Sequence, residues 1–149
     1  MIIELAQSKD KQKIAKLDFH IHSSSLGECI WNGQVYALKD DSIKNGGQNH
    51  RLKDPVVGVL RYSLFWQSIP FLDLLYIDEA YRGKGYGSQM MSEWEHSMNI
   101  RGYKYVMTST QADETAWRFY EKLGYRKVGG FLPPEQEADE WIYLKQLGE

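Results

Sequence analysis

Gly83, Gly85 and Gly87 alternate with Arg82, Lys84 and Tyr86, and Ser88 follows them. Residues of these types at this spacing suit the binding of an anion. Glycine adopts positive φ and lets the backbone approach a ligand closely. An apolar, strand-like run from Phe71 to Ile77 enters the stretch and an amphipathic helical pattern leaves it, so the glycines sit where a strand gives way to a helix. The free N–H groups and the positive dipole end of a new helix then face the anion, with Arg82 and Lys84 adding charge. Spacing sorts the phosphate motifs. A Walker loop needs Lys-Ser or Lys-Thr after a glycine, and no window supplies it. The dinucleotide fingerprint also fails, because Gly83 and Gly85 are followed by Ser88, and Gly85 and Gly87 by Met90. The form present is Arg-x-x-Gly-x-Gly, Arg82 to Gly87. A plain turn that starts a helix would account for the glycines but not for two cations placed beside them.

A second constellation is Asp113-Glu-Thr-Ala-Trp-Arg-Phe-Tyr-Glu-Lys-Leu-Gly-Tyr125. Together with the Arg82 to Gly87 loop it makes the chain resemble the GNAT superfamily of acyl-CoA-dependent N-acetyltransferases. Members of that family commonly carry Asn-x-x-Ala-x-x-Phe-Tyr-x-Lys-x-Gly-Phe/Tyr after a pyrophosphate loop of this form. Ala116, Phe119, Tyr120, Lys122, Gly124 and Tyr125 match, whereas Asp113 stands where the family has Asn. The resemblance covers residues 55 to 147, and the N-terminal third shares only the general layout.

The resemblance implies acetyl transfer from acetyl-CoA to a primary amine by direct attack on the thioester. Such a reaction needs a neutral amine, stabilisation of a developing oxyanion and a proton for the leaving thiolate. Tyr120 is the implied acid, since the tyrosine of this Phe-Tyr pair lies near the CoA sulfur in the family; the alternative is a core aromatic with a satisfied hydroxyl. Asp73, in the strand before the loop, is the candidate base, because an ammonium with pKa of about 10 is mostly charged at neutral pH. A carboxylate in an apolar strand equally suits an ion pair with Arg61 across a hairpin turn. The cofactor contacts implied are Arg82, Gly83, Lys84, Gly85, Tyr86, Gly87 and Ser88 for the pyrophosphate, the backbone of Ile77 and Asp78 for the pantetheine arm, and Asp113 and Tyr120. Two other classes compete: an acyl-CoA-binding regulatory module without useful turnover, and an ATP-binding protein, which the failed Walker spacing disfavours.

The elements that position these residues read as follows. Residues 2 to 5 suit a strand, and Ser8 is placed to cap a helix in which Ile14, Leu17 and Ile21 recur at helical spacing. Ser23, Ser24 and Ser25 mark a break before a second short helix. Val35 to Leu38 forms a strand. The polar stretch from Asp40 to Asp54, with its basic part from Lys44 to Lys53, reads as a loop. Val56 to Trp66 and Phe71 to Ile77, joined by a turn at Gln67 to Pro70, form an antiparallel hairpin. Gly87, Met91, Trp94 and Met98 mark one helix face, with Gly102 as its C-terminal cap. Tyr105 to Ser109 is a buried strand parallel to the one before the loop. Asp113 caps the next helix, Glu114 lies in its first turn, and Gly124 ends it. Tyr125 to Val128 and Trp141 to Leu147 pair around Pro133 and Pro134. The pattern predicts an α/β (α+β) fold: a mixed, mostly antiparallel sheet of six to seven strands, about four helices, and a splayed parallel strand pair that the resemblance assigns to CoA.

With 149 residues, a hydrophobic fraction of 42% and an aromatic fraction of 13%, a single domain over residues 1–149 is expected. A net charge of -2 gives no general attraction to nucleic acid. The chain has no apolar run long enough to span a membrane, and Met-Ile-Ile-Glu-Leu is not an export signal, so a cytoplasmic location is the expectation. The lone Cys29 excludes an intrachain disulfide, and no metal is expected, because His20 and His22 lack a third ligand fixed by the sequence. The expected partner is a small-molecule or a protein or peptide amine, with room for a homodimer. Asp40, Asp41, Asp73 and the acidic segment from Glu135 to Glu140 would favour a cationic acceptor.

Overall fold

The computed structural model describes residues 1–42 and 55–148. The basic stretch from Lys44 to Lys53 and most of the loop assigned to residues 40 to 54 therefore lie outside the described residues. Among the described residues seven strands form one mixed sheet, β1 (Ile2–Leu5), β2 (Val35–Lys39), β3 (Val56–Phe65), β4 (Ile69–Ile77), β5 (Tyr105–Gln111), β6 (Arg126–Phe131) and β7 (Glu140–Gln146), in the order β1-β2-β3-β4-β5-β7-β6. Four α-helices among the described residues accompany them: α1 (Lys11–Ala15), α2 (Ser23–Trp31), α3 (Tyr86–Ile100) and α4 (Ala116–Lys122). β1 with β2, β2 with β3, β5 with β7 and β6 with β7 pair antiparallel. β4 and β5 are the parallel pair, in register at Phe71↔Met107 and Leu72↔Thr108. The α/β sheet, its helix number and its parallel pair agree with the sequence reading.

By compactness the chain divides into Met1–Arg61 with Leu74–Glu93, and Tyr62–Asp73 with Trp94–Glu149. The division passes inside β3, β4 and α3 rather than through linkers. In the first unit, Ile14, Leu26, Ile30, Val35, Ala37 and Val59 form a buried cluster with Leu17, Ile21 and Cys29 packed against it. Three ion pairs join its elements, those of Asp10 and Asp18 buried and that of Glu4 at the surface. Lys39 Nζ lies 2.7 Å from Glu4 and 3.0 Å from Asp10, and Arg61 Nε donates to Asp18 Oδ2 at 2.7 Å. Gly58 is required by close approach: a Cβ there would stand 2.9 Å from Ile77 Cδ1 and 3.1 Å from Leu38 Cβ. In the second unit, Trp94, Met98, Val106 and Tyr143 are buried, Tyr62 packs against Trp94 with ring centroids 5.7 Å apart, and Tyr120 against Tyr125 at 5.8 Å. Met91, Trp94 and Met98 are fully buried, as the helical spacing of α3 predicts.

Four local expectations are corrected. Ser8 does not cap an α-helix but begins a 3-10 turn, Ser8–Asp10, and α1 starts after it. Helix α1 ends at Ala15, so Leu17 and Ile21 reach the core from an irregular segment in which the buried Asp18 accepts from the His20 N–H and from Arg61. Asp113 does not cap α4. The Glu114 N–H bonds back to the Gln111 carbonyl at 3.1 Å, and this turn defers the helix to Ala116 with Thr115 at its N-cap. Glu114 thus lies outside the first turn of α4. The serines at 23 to 25 open α2 rather than precede it. Gly102 and Gly124 do end their helices, at φ of 92° and 94°.

Candidate functional site

The anion loop is built from strand β4 outward. The Asp78 N–H donates to the Val57 carbonyl at 2.8 Å, which closes the strand against β3. A 3-10 turn, Glu79–Tyr81, follows, then Arg82 to Gly85, and α3 begins at Tyr86. Gly83 and Gly85 have φ of 76° and 85°, the left-handed region where any side chain is strained by about 1–2 kcal/mol. Nothing lies within 4 Å of a Cβ built on either. Backbone conformation, not crowding by the protein, therefore demands glycine at both places, and the space over them is open to a ligand. Gly87 lies within the first turn of α3, where the helix N-terminus presents its free N–H groups.

Both cations of the loop are placed by tyrosines. Arg82 Nε donates to the Ile77 carbonyl at 2.7 Å, and its guanidinium lies 5.2 Å from the Tyr76 ring centroid. Lys84 Nζ lies 5.8 Å from the Tyr81 ring centroid. Tyr81 is itself anchored, its hydroxyl donating to Asp40 Oδ2 at 2.6 Å, while Asp40 also accepts from the N–H and hydroxyl of Ser42. The bonds from Ser42 and Tyr81 hold the Asp40 carboxyl below its ordinary range, and the bond to Asp40 raises the Tyr81 phenol above its own. The residues present therefore fit a pyrophosphate. Strand alternation gives Ile77 and Asp78 different parts. The Asp78 N–H is used by β3.

Tyr120, on α4, is buried at 8% exposure, and burial pushes its phenol up to about 12, opposed by a hydrogen bond with the Thr108 hydroxyl. Thr108 Oγ1 in turn donates to the Leu72 carbonyl at 3.2 Å. Asp113 is exposed in the turn before α4. Alternation along β5 separates two faces. Thr108 points to the face of Tyr120, and Ser109 to the other. Since Leu72 is in register with Thr108, Asp73 shares the face of Ser109, where it is exposed. That face holds a second carboxylate that sequence reasoning did not single out. Glu140, in register with Gln111, accepts from Ser109 Oγ at 3.3 Å, and burial raises its carboxyl above the ordinary value against the hydrogen bonds of Ser109 and Gln136, with Glu114 raising it further.

Of the acidic residues expected to favour a cationic acceptor, Asp40 and Asp41 are engaged inside the protein, Asp40 by Tyr81 and Ser42 and Asp41 by the N-terminal ammonium. Arg61, the alternative partner for Asp73, donates to Asp18 through both Nε and a terminal nitrogen, at 2.7 and 3.4 Å. His20 and His22 are exposed and Cys29 is half-buried. Among the described residues there is no group of three or more His, Cys, Asp or Glu able to hold a metal, and no helix long and apolar enough to cross a membrane.

The geometry has many counterparts. The chain is similar to Ard1 from Thermoplasma volcanium, at 17% identity with a TM-score of 0.80 over 99% of this chain and 98% of that one. It is similar to the NatB acetyltransferase complex bound to CoA and MES, at 16% identity, a TM-score of 0.76 and coverage of 99% and 100%. The ribosomal-protein-S18-alanine N-acetyltransferase from Escherichia coli matches at 13% identity and a TM-score of 0.74 over 99% and 94% of the two chains. At such identities these likenesses show the fold. No curated protein matches the chain in sequence. The profile of the acetyltransferase (GNAT) family matches residues 14–125, a span that includes the loop, Tyr120 and most of the sheet; the chain belongs to the GNAT acetyltransferase family.

Proposed function

We propose that the protein transfers an acetyl group from acetyl-CoA to a primary amine, on a small molecule or on a peptide or protein. The observation that carries this reading is the junction from β4 to α3, where two left-handed glycines, a helix N-terminus and two tyrosine-backed cations converge. Arg82, Gly83, Lys84, Gly85, Tyr86, Gly87 and Ser88 hold the pyrophosphate, and the Ile77 amide pairs with the pantetheine arm. Asp78 contributes through its place in the turn. Asp113, exposed ahead of α4, is left with a solvent-side contact to the cofactor.

The amine nitrogen forms a bond to the thioester carbon, the carbon–sulfur bond breaks, and the sulfur leaves as thiolate. Asp73, directly or through water, takes a proton from the ammonium. Tyr120 donates a hydrogen bond to the thiolate, which takes up the second proton that the nitrogen releases as the amide forms. With its phenol at about 12, Tyr120 is fully protonated across the working range, and it acts by a hydrogen bond to the departing sulfur that strengthens as charge develops. The fold neighbours include a protein acetyltransferase and a CoA complex, which supports both halves of the reaction. We place the activity in the cytoplasm.

The experiment is acetyl-CoA turnover against a panel of polyamines, aminoglycosides, lysine and peptide N-termini, read as amine-dependent release of free thiol. One or more amines should raise thiol release well above the hydrolytic background. CoA binding without amine-dependent release from any of them would instead favour an acyl-CoA-binding module.

A further inference from the structure

Three buried residues meet where the parallel pair of strands ends. Leu72 and Thr108 are the last partners in register between β4 and β5; Leu72 is 3% exposed, Thr108 1% and Tyr120 8%. Thr108 Oγ1 donates to the Leu72 carbonyl at 3.2 Å, and the same hydroxyl is bonded to the Tyr120 phenol. A carbonyl only accepts, and a threonine hydroxyl has one proton and two acceptor sites. With that proton on Leu72, the bond to Tyr120 has to run from the phenol to Thr108. The single phenolic proton is therefore engaged inside the protein, in the order Tyr120 to Thr108 to Leu72.

That order is the reverse of what the proposed chemistry needs. To donate to a thiolate, Tyr120 has to turn its O–H away from Thr108, which leaves the buried phenol oxygen without a partner. Rotation of the Thr108 hydroxyl about its C–O bond meets the need. Its proton leaves the Leu72 carbonyl for the Tyr120 oxygen, and no heavy atom has to move. A hydroxyl that accepts one hydrogen bond while donating another is the stronger donor, and Thr108 is what opposes burial at this phenol. The cost falls on the Leu72 carbonyl, which gives up one donor. We infer that Thr108 is a positioning residue: its hydroxyl serves the Leu72 carbonyl while Tyr120 donates to it, and reverses toward the Tyr120 oxygen when the phenol turns to the CoA sulfur. The inference rests on the acetyl-transfer reading, and within it on Tyr120 facing that sulfur.

The test uses CoA itself and needs no acceptor. The thiol of CoA bound to the full chain is titrated through the ultraviolet absorption of its thiolate, as the difference from the same chain saturated with desulfo-CoA, which lacks the sulfur. A hydrogen bond to the thiolate lowers the pKa of the thiol, so the bound thiol should titrate about one pH unit lower in the native chain than in Tyr120→Phe. Thr108→Val keeps the branched shape without the hydroxyl and should remove about half of that difference. Thr108→Ala, which also lacks the hydroxyl, should do the same, whereas Thr108→Ser should match the native chain. Combined with Tyr120→Phe, Thr108→Val should add nothing, because its effect passes through the phenol. Thermal melts and calorimetric titration with CoA confirm that each variant is folded and saturated. Equal titration in the native chain and Tyr120→Phe would take the phenol away from the sulfur, and the role of Thr108 with it. A difference that survives Thr108→Val in full, or a shift from Thr108→Val that persists in the Tyr120→Phe background, would overturn the role of Thr108 alone and leave that of Tyr120 standing.

Discussion

Tyr120, Asp73 on β4 and Glu140 on β7 can be separated by substitution. Replacing Tyr120 with Phe keeps the packing against Tyr125 and removes the hydroxyl alone, so turnover should fall about 100-fold or more while CoA affinity stays within about twofold. Steady-state turnover and a CoA titration check this, and unchanged turnover would remove the acid role. Asp73→Asn should alter the acid limb of the pH–rate profile. Glu140 has a raised carboxyl, so any contribution from it lies at higher pH than one from an unperturbed carboxylate. A profile whose acid limb moves in Glu140→Gln and not in Asp73→Asn would transfer the base role to Glu140. The loop glycines were legible in the sequence because the positive φ of Gly83 and Gly85 is a matter of local backbone geometry. Glu140 and Ser109 were not, because their contact crosses from β7 to β5 and leaves no periodic trace in either strand.

At the scale of elements, the loop is a device with separable parts. Gly85→Ala forces a Cβ into φ of 85° without meeting any protein atom, so it should cost about 1–2 kcal/mol of strain and weaken CoA binding about tenfold. Tyr81→Phe removes the bond to Asp40, which fixes the ring beneath Lys84; it should raise the Kd for CoA several-fold and leave kcat at saturation nearly unchanged. Calorimetric titration with CoA measures both. The strands and helices themselves were legible from spacing. The helix starts were not, since Asp113 and Ser8 are good caps by residue type, yet a turn at Gln111–Glu114 and a 3-10 turn at Ser8–Asp10 satisfy the same backbone groups first. The partnership of Asp40 with Tyr81 spans 41 positions. In the sequence Asp40 is merely one of several acidic residues.

For the whole molecule, buried phenols set an alkaline limit. Tyr120 at about 12 and the still higher Tyr125, raised by burial and by Glu95, stay protonated in the folded chain after they would ionise in the unfolded one. Their contribution is fully present below about pH 10, the unfolded value, and is lost as pH rises through the folded values. Tyr120 alone accounts for about 2.7 kcal/mol over two pH units. Denaturant midpoints should therefore fall steeply above about pH 10, and less steeply in Tyr120→Phe.

The turn between β3 and β4 carries one further consequence. Trp66 and Gln67 have φ of 52° and 54°, left-handed positions where hairpins prefer Asn-Gly. The chain thus holds a reserve of unclaimed thermostability in a segment with no part in the proposed chemistry. Gln67→Gly, alone or with Trp66→Asn, should release about 1 kcal/mol and raise Tm by about 2–4 °C with acetyl transfer unaffected. Such a background would let destabilising changes at the loop be studied in folded protein.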